Sequence, residues 1–176
     1  MSSIYYESIK LLSIKARLAF ACRCLELALD KYKIKSEILD KVIAQIWEFT
    51  SEDERLDLWE NLTAGFNTKD VLSPYYNNED IPELTPDQFK SLVNCYRTLP
   101  IFICEIIDET IWIGRANLYS KVDGFSDETL SPLRKVITLM IENSIPLPGL
   151  DTFSKSSFTE DGGWGLPHTR SYYLEQ

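Results

Sequence analysis

A few groupings of side chains in this chain have the types and spacing to do chemistry. Glu105, Asp108 and Glu109 stand three and four residues apart, so a helix would place them on one face, where paired carboxylates can hold a metal. The di-iron pattern also needs Glu-x-x-His on such helices, and His168 is the chain's only histidine. A solvated or salt-bridged face, with Arg115 or Arg134 as the cation, is the expected use of these acids. Cys22, Cys24, Cys95 and Cys104 form no CxxC pair, and in a helical pattern Cys22 and Cys24 point to different faces. They read as plain buried thiols. Gly162-Gly163-Trp164-Gly165 is not followed by the Lys-Ser/Thr pair of a phosphate loop, and no HExxH or GxSxG occurs. These glycines are expected to let backbone fold around Trp164. His168, after Pro167, reads as a surface residue.

The remaining grouping is acidic and aromatic. Glu52, Asp53, Glu54, Asp57 and Glu60 present carboxylates on several faces of one helix, and Glu79, Asp80, Glu83 and Asp87 continue the acid beyond it. Trp59, Tyr75 and Tyr76 are interleaved. Rings provide contact area and carboxylates steer and pair, which is what binding a basic protein requires. Glu52, Asp53, Asp57, Glu60, Tyr75, Tyr76, Glu79, Asp80 and Glu83 are therefore the candidate partner-binding residues. The competing reading is an ordinary acidic surface with Trp59 in the core. No catalytic, cofactor-binding or metal-ligating set emerges, so the chain is not expected to be an enzyme.

Charge is distributed in the same sense. Residues 1–35 carry seven Lys/Arg against three Asp/Glu, residues 36–87 three against thirteen, and residues 88–176 eight against eleven, within a net charge of −9. An acidic middle repels nucleic acid and anionic membrane and attracts a basic protein. The opening residues show neither a basic n-region nor an apolar h-region, and the run from Ile101 to Ile113 is too short and too charged to span a bilayer. A cytoplasmic location is the default expectation.

Helices must position these groups. The stretch from Leu99 to Ser120 combines Pro100 in a first turn with Ile101, Phe102, Ile103, Ile106, Ile107, Ile111, Trp112 and Ile113, an apolar arc wide enough for a central helix buried by its neighbours. Ile4–Tyr32 reads as one long helix or two joined end to end. Leu11, Leu12, Ile14, Leu18, Ala21, Cys22, Leu25 and Leu29 form its apolar face, with Lys10, Lys15, Arg17, Arg23, Glu26 and Lys31 largely off it. Ser36 opens a second stripe ending near Thr50. Ser51 is expected to cap a third helix whose first turn holds Glu52, Asp53 and Glu54 and whose Leu56, Leu58, Trp59 and Leu62 point inward, with Gly65 stopping it. Asn67–Thr85 reads as a loop, Thr85-Pro86 as the start of a fourth helix, and Leu130–Ile141 as the last amphipathic helix. Past Asn143 the prolines and glycines exclude a long helix. Leu147, Leu150, Phe153, Phe158, Trp164, Leu166, Tyr172 and Tyr173 are still too many apolar anchors for disorder. The expected architecture is all-α: a single domain over 1–176, an antiparallel array of helices over about 4–142, and an extended, ordered arm over 143–176.

Arg17-Leu18-Ala19-Phe20-Ala21-Cys22-Arg23-Cys24-Leu25-Glu26 with Tyr32, the helices carrying Trp47 and Trp59, and the tail Phe158–Gly165 resemble the immunity proteins of bacterial contact-dependent growth inhibition and related polymorphic toxin systems. That resemblance implies a non-enzymatic protein that binds one cognate toxin domain, often a nuclease and hence basic, and blocks its active site or substrate access. It carries over no binding residues, because partners within such families use different surfaces. The alternative is an acidic helical regulatory or scaffold module that binds another basic protein.

Overall fold

Ser13 begins the second helix, three residues after the first has ended. In the computed structural model, which describes residues 3–175 with side chains from Tyr5 onward, α1 (Ser3–Lys10) and α2 (Ile14–Lys31) are separate helices. The Ser13 hydroxyl caps α2 by accepting the Ala16 N–H at 3.1 Å. The signal-peptide reading of the opening falls in part on Met1 and Ser2, which lie outside the described residues.

The chain is all-helical and forms one domain. After α2 come α3 (Glu37–Trp47), continued by a 3-10 turn at Glu48–Thr50, α4 (Leu56–Ala64), a short α5 (Thr68–Val71), α6 (Pro86–Thr98), α7 (Ile101–Arg115), α8 (Asp127–Glu142) and α9 (Arg170–Leu174). Among the described residues the only β feature is one antiparallel bridge, between Leu12 and Ser157. No described helix is long and apolar enough to cross a membrane.

α2, α7 and α8 pack against one another and form the centre. The deepest element is α2 rather than α7. Thirteen of the 18 residues of α2 are buried, and Ala16, Ala19, Ala21 and Ala28 keep its surface low enough for neighbours on several sides. α7 is central too, but it ends at Arg115 rather than Ser120, and Ile101 and Trp112 stay exposed.

Burial of α2 on almost every side takes two of its cations inside, against the expectation that Lys15 and Arg17 lie off the apolar face. Arg17 is fully buried and faces neutral oxygens. It donates to Lys10 O at 2.8 Å, Phe125 O at 2.7 Å and Thr129 Oγ1 at 2.7 Å, and its guanidinium lies 4.6 Å from the Phe158 ring centre. Burial, and then Arg134, push its pKa down to about 9. Arg17 thus ties the end of α1, the start of α8 and the C-terminal arm to α2.

Local start signals account for most boundaries. At α6 the Thr85 hydroxyl accepts the Gln88 N–H at 3.3 Å while Gln88 Oε1 accepts the Thr85 N–H at 2.9 Å, with Pro86 at the first helical position. α4 does not start at Ser51. Glu52 Oε1 accepts the N–H groups of Asp53, Glu54 and Arg55 at 2.9–3.0 Å, which closes this segment as a turn on a side chain, and the helix proper begins at Leu56. Leu58, expected inside, is 45% exposed; Trp59 and Thr63 are the buried residues of α4.

The arm is ordered but not uniformly extended, since it contains a 3-10 turn at Asp161–Gly163 and ends in α9. It is attached through backbone to the α1–α2 junction. The Phe158 N–H donates to Leu11 O at 2.8 Å, the Ser13 N–H to Ser156 O at 3.0 Å and the Lys15 N–H to Trp164 O at 3.0 Å. Gly163 and Gly165 have φ of +101° and +82°, and a Cβ on Gly165 would stand 2.3 Å from Ser13 Oγ. Phe153 meets the Phe20 ring edge-on with centroids 5.3 Å apart, and Tyr173 stacks on Phe153 at 6.1 Å.

Candidate functional site

The nine candidate residues fall into two groups placed by the two ends of α4. Glu52, Asp53, Asp57 and Glu60 surround its beginning. Tyr75, Tyr76, Glu79, Asp80 and Glu83 lie in the segment that folds back on its end. There a Cβ on Gly65 would meet Ile81 at 2.7 Å, and the Tyr76 hydroxyl reaches Gly65 O at 3.4 Å.

In the first group each carboxylate has an assigned neighbour. Glu52 binds three backbone N–H groups, that of Arg55 contributing most, which holds its carboxyl below the usual range. Asp53 accepts from Lys15 Nζ at 3.1 Å, and that lysine is only 1% exposed. Asp57 takes both forks of Arg55 at 3.1 Å, and this hydrogen-bonded pair lowers its pKa. Glu60 accepts Arg115 Nε at 3.2 Å and the Tyr119 hydroxyl at 2.6 Å. The Tyr119 ring is 81% exposed, yet its hydroxyl is fixed by that bond, which also raises its pKa.

The second group is looser. Asp80 closes a capping box by accepting the Asn77 N–H at 2.8 Å, so it belongs to the loop's own structure. The carboxylates of Glu79 and Glu83 are exposed and pair with no cation among the described residues. Tyr75 is 93% exposed, and Tyr76 is half-buried beside Phe89. Burial, with Asp80, Asp70 and Glu83 nearby, raises the Tyr76 pKa.

Three contributors to the first group lay outside the candidate set. Glu54 is exposed and without an ion pair among the described residues. Tyr119 and Trp164 join it from the turn that follows α7 and from the arm. Together with Asp53 and Asp57 they line a notch of about 180 Å³. The glycines around Trp164 were the only local sign of its special placement; nothing near Tyr119 in the sequence points to Glu60.

The other chemical candidates resolve into structure. Glu105 and Glu109 both pair with Lys135, at 3.4 and 2.7 Å, rather than with Arg115 or Arg134. Asp108 turns inward and accepts the N–H and hydroxyl of Thr68 at 2.6 and 2.8 Å, capping α5. Cys22 and Cys24 are buried, which pushes both thiols well above their ordinary range, while Cys95 and Cys104 are half-buried. His168 stacks on Tyr172 with centroids 3.7 Å apart. Among the described residues no three His, Cys, Asp or Glu are grouped to hold a metal ion.

No family model matches the chain, and no curated protein or solved structure matches it either. What the arrangement around α4 can do chemically is present carboxylates beside exposed rings, with acid in excess over base.

Proposed function

We propose that this chain is an immunity protein that binds a cognate bacterial toxin domain, basic and of nuclease type, and neutralises it by direct protein contact in the cytoplasm. It acts without catalysis, cofactor or metal. The observation that supports this reading most is the pairing of exposed aromatic rings with surplus acid around α4. Among the described residues Tyr75 and Tyr119 are more exposed than any other large hydrophobic side chain, and both stand among the carboxylates of a segment with three Lys/Arg against thirteen Asp/Glu. Surplus acid would accelerate encounter with a basic partner, and rings already in place would slow its departure. The resemblance of the α2 stretch and the tail to toxin-immunity proteins supplies the choice of partner. An acidic regulatory or scaffold module would use the same surface for another basic protein.

The test is association with the toxin domain encoded by the neighbouring gene, measured over a salt series. Glu54→Lys, Glu79→Lys and Glu83→Lys together should slow association about tenfold at low salt and flatten its salt dependence. Tyr75→Ala should shorten the lifetime of the complex. These positions leave the Glu52 turn and the Asp80 capping box intact. Wild-type rates for both variants across the series would show that the face is only a solvated surface.

A further inference from the structure

The carboxylates at the start of α4 would by themselves define nothing more than a hydrated acidic surface. Two rings make a site of them. Trp164 and Tyr119 stand with Leu56 and Leu118 around the notch of about 180 Å³ whose remaining wall is Asp53, Glu54 and Asp57. Both rings are held before anything binds. Tyr119 is fixed through its hydroxyl to Glu60, which Arg115 holds in turn. Trp164 is fixed through its backbone, since its carbonyl accepts the Lys15 N–H at 3.0 Å and its ring lies 6.4 Å from that of Phe49. The same Lys15 reaches Asp53 with its ammonium, so one buried residue positions two walls of the notch.

The charge of the notch is negative after its internal pairs are counted. Glu52, Asp53, Glu54, Asp57 and Glu60 give five carboxylates against Lys15, Arg55 and Arg115, an excess of two. The Arg55–Asp57 pair is exposed on both sides, at 55% and 53%, and such pairs are readily exchanged for another cation. Glu54 has none to exchange. Aromatic faces beside one uncommitted carboxylate and one exchangeable pair attract a cation that is planar and weakly hydrated.

We propose that this notch receives one arginine side chain of the basic partner, its guanidinium lying against Trp164 and Tyr119 and donating to Glu54 and Asp57. The proposal rests on the basic-partner reading for its natural occupant, but the notch can be probed without that partner. The probe is N-acetyl-arginine amide, titrated into the full chain while the indole N–H resonances of its four tryptophans are followed.

The expected result is a saturable shift of the Trp164 resonance in the millimolar range, with the exposed Trp112 as the internal control. Tyr119→Leu and Glu54→Gln, both at exposed positions, should each weaken that response by about threefold or more. N-acetyl-lysine amide should bind several-fold more weakly. A Trp164 resonance that does not saturate, that matches Trp112, that responds equally to lysine, or that is indifferent to Tyr119→Leu would overturn the proposal. So would a toxin domain that binds wild-type protein and Tyr119→Leu equally well, although the basic-partner reading would then survive. Conversely, a saturable arginine response in a chain that binds no toxin domain would sustain the notch and remove the toxin.

Discussion

Trp59 lies directly over Gly114: a Cβ on that glycine would fall 2.4 Å from the Trp59 ring and 2.9 Å from Leu18. The Trp59 indole N–H reaches α3's last turn, where it donates to Gln45 O at 3.0 Å. One side chain thus fixes α4 on α7 and α3 together, and with it the acidic surface that α4 carries.

Gly114→Ala tests that seat. Inside a helix, alanine normally stabilises relative to glycine by up to about 1 kcal/mol. Here overpacking should reverse the sign, and a loss of about 1–3 kcal/mol is expected in chemical denaturation. A gain in stability would show that the indole can move aside.

Gly165→Ala should release the arm. It adds a Cβ at a backbone φ of +82° and drives it into Ser13 Oγ. Hydrogen exchange should quicken at the Phe158 and Lys15 amides, whose bonds join the arm to the α1–α2 junction, while amides inside α7 and α8 keep most of their protection. Unchanged exchange at those two sites would mean that the arm is held elsewhere.

Trp164→Ala separates packing from recognition. The ring is half-buried, so its removal should cost about 1–3 kcal/mol, less than the 3–5 typical of a fully buried aromatic. A loss at the upper figure would place the ring in the core. Little loss of stability with a large loss of partner affinity would assign it to the interface.

Alkaline pH should find Tyr173. Its phenol is 1% exposed, and burial pushes its pKa up to about 12 from 10.0. The folded form therefore holds a proton that the unfolded chain releases above pH 10, so stability is fully present below pH 10 and is lost as pH rises towards 12. Tyr173→Phe should match wild type within about 1 kcal/mol at pH 7 and exceed it by about 2 kcal/mol near pH 12. Parallel stability curves for the two proteins over that range would contradict the burial of this hydroxyl.

Periodicity and caps made the helices legible in the sequence. The Thr85-Pro86 start of α6 is local chemistry, and the apolar arc of α7 needs no tertiary knowledge to recognise. The Glu52 turn was less readable, because acids after a serine signal a helix start equally well when one of them folds back onto the backbone. Arg17 was least readable. Its charge marks it as a surface residue, and only carbonyls from α1 and from the loop before α8, brought together by the fold, make its burial tolerable. The acidic character of the α4 region was plain from composition, whereas the joining of Tyr119 and Trp164 to it depends on chain separated by dozens of residues.

The hydrogen bond between Ser13 and Ser156 spans 143 residues of sequence, and Phe125 O and Thr129 Oγ1 reach Arg17 from more than 100 residues away. Helical proteins usually fold fast because their contacts are local. This one completes the surroundings of its innermost helix, α2, with a segment that follows it by more than 100 residues. During synthesis the buried faces of α2 must wait, wetted and incomplete, until the segment from Phe153 to Trp164 has left the ribosome. Folding should therefore end with a slow, late docking step, and a chain stopped before Ser156 would keep its early helices without ever sealing the place where they meet.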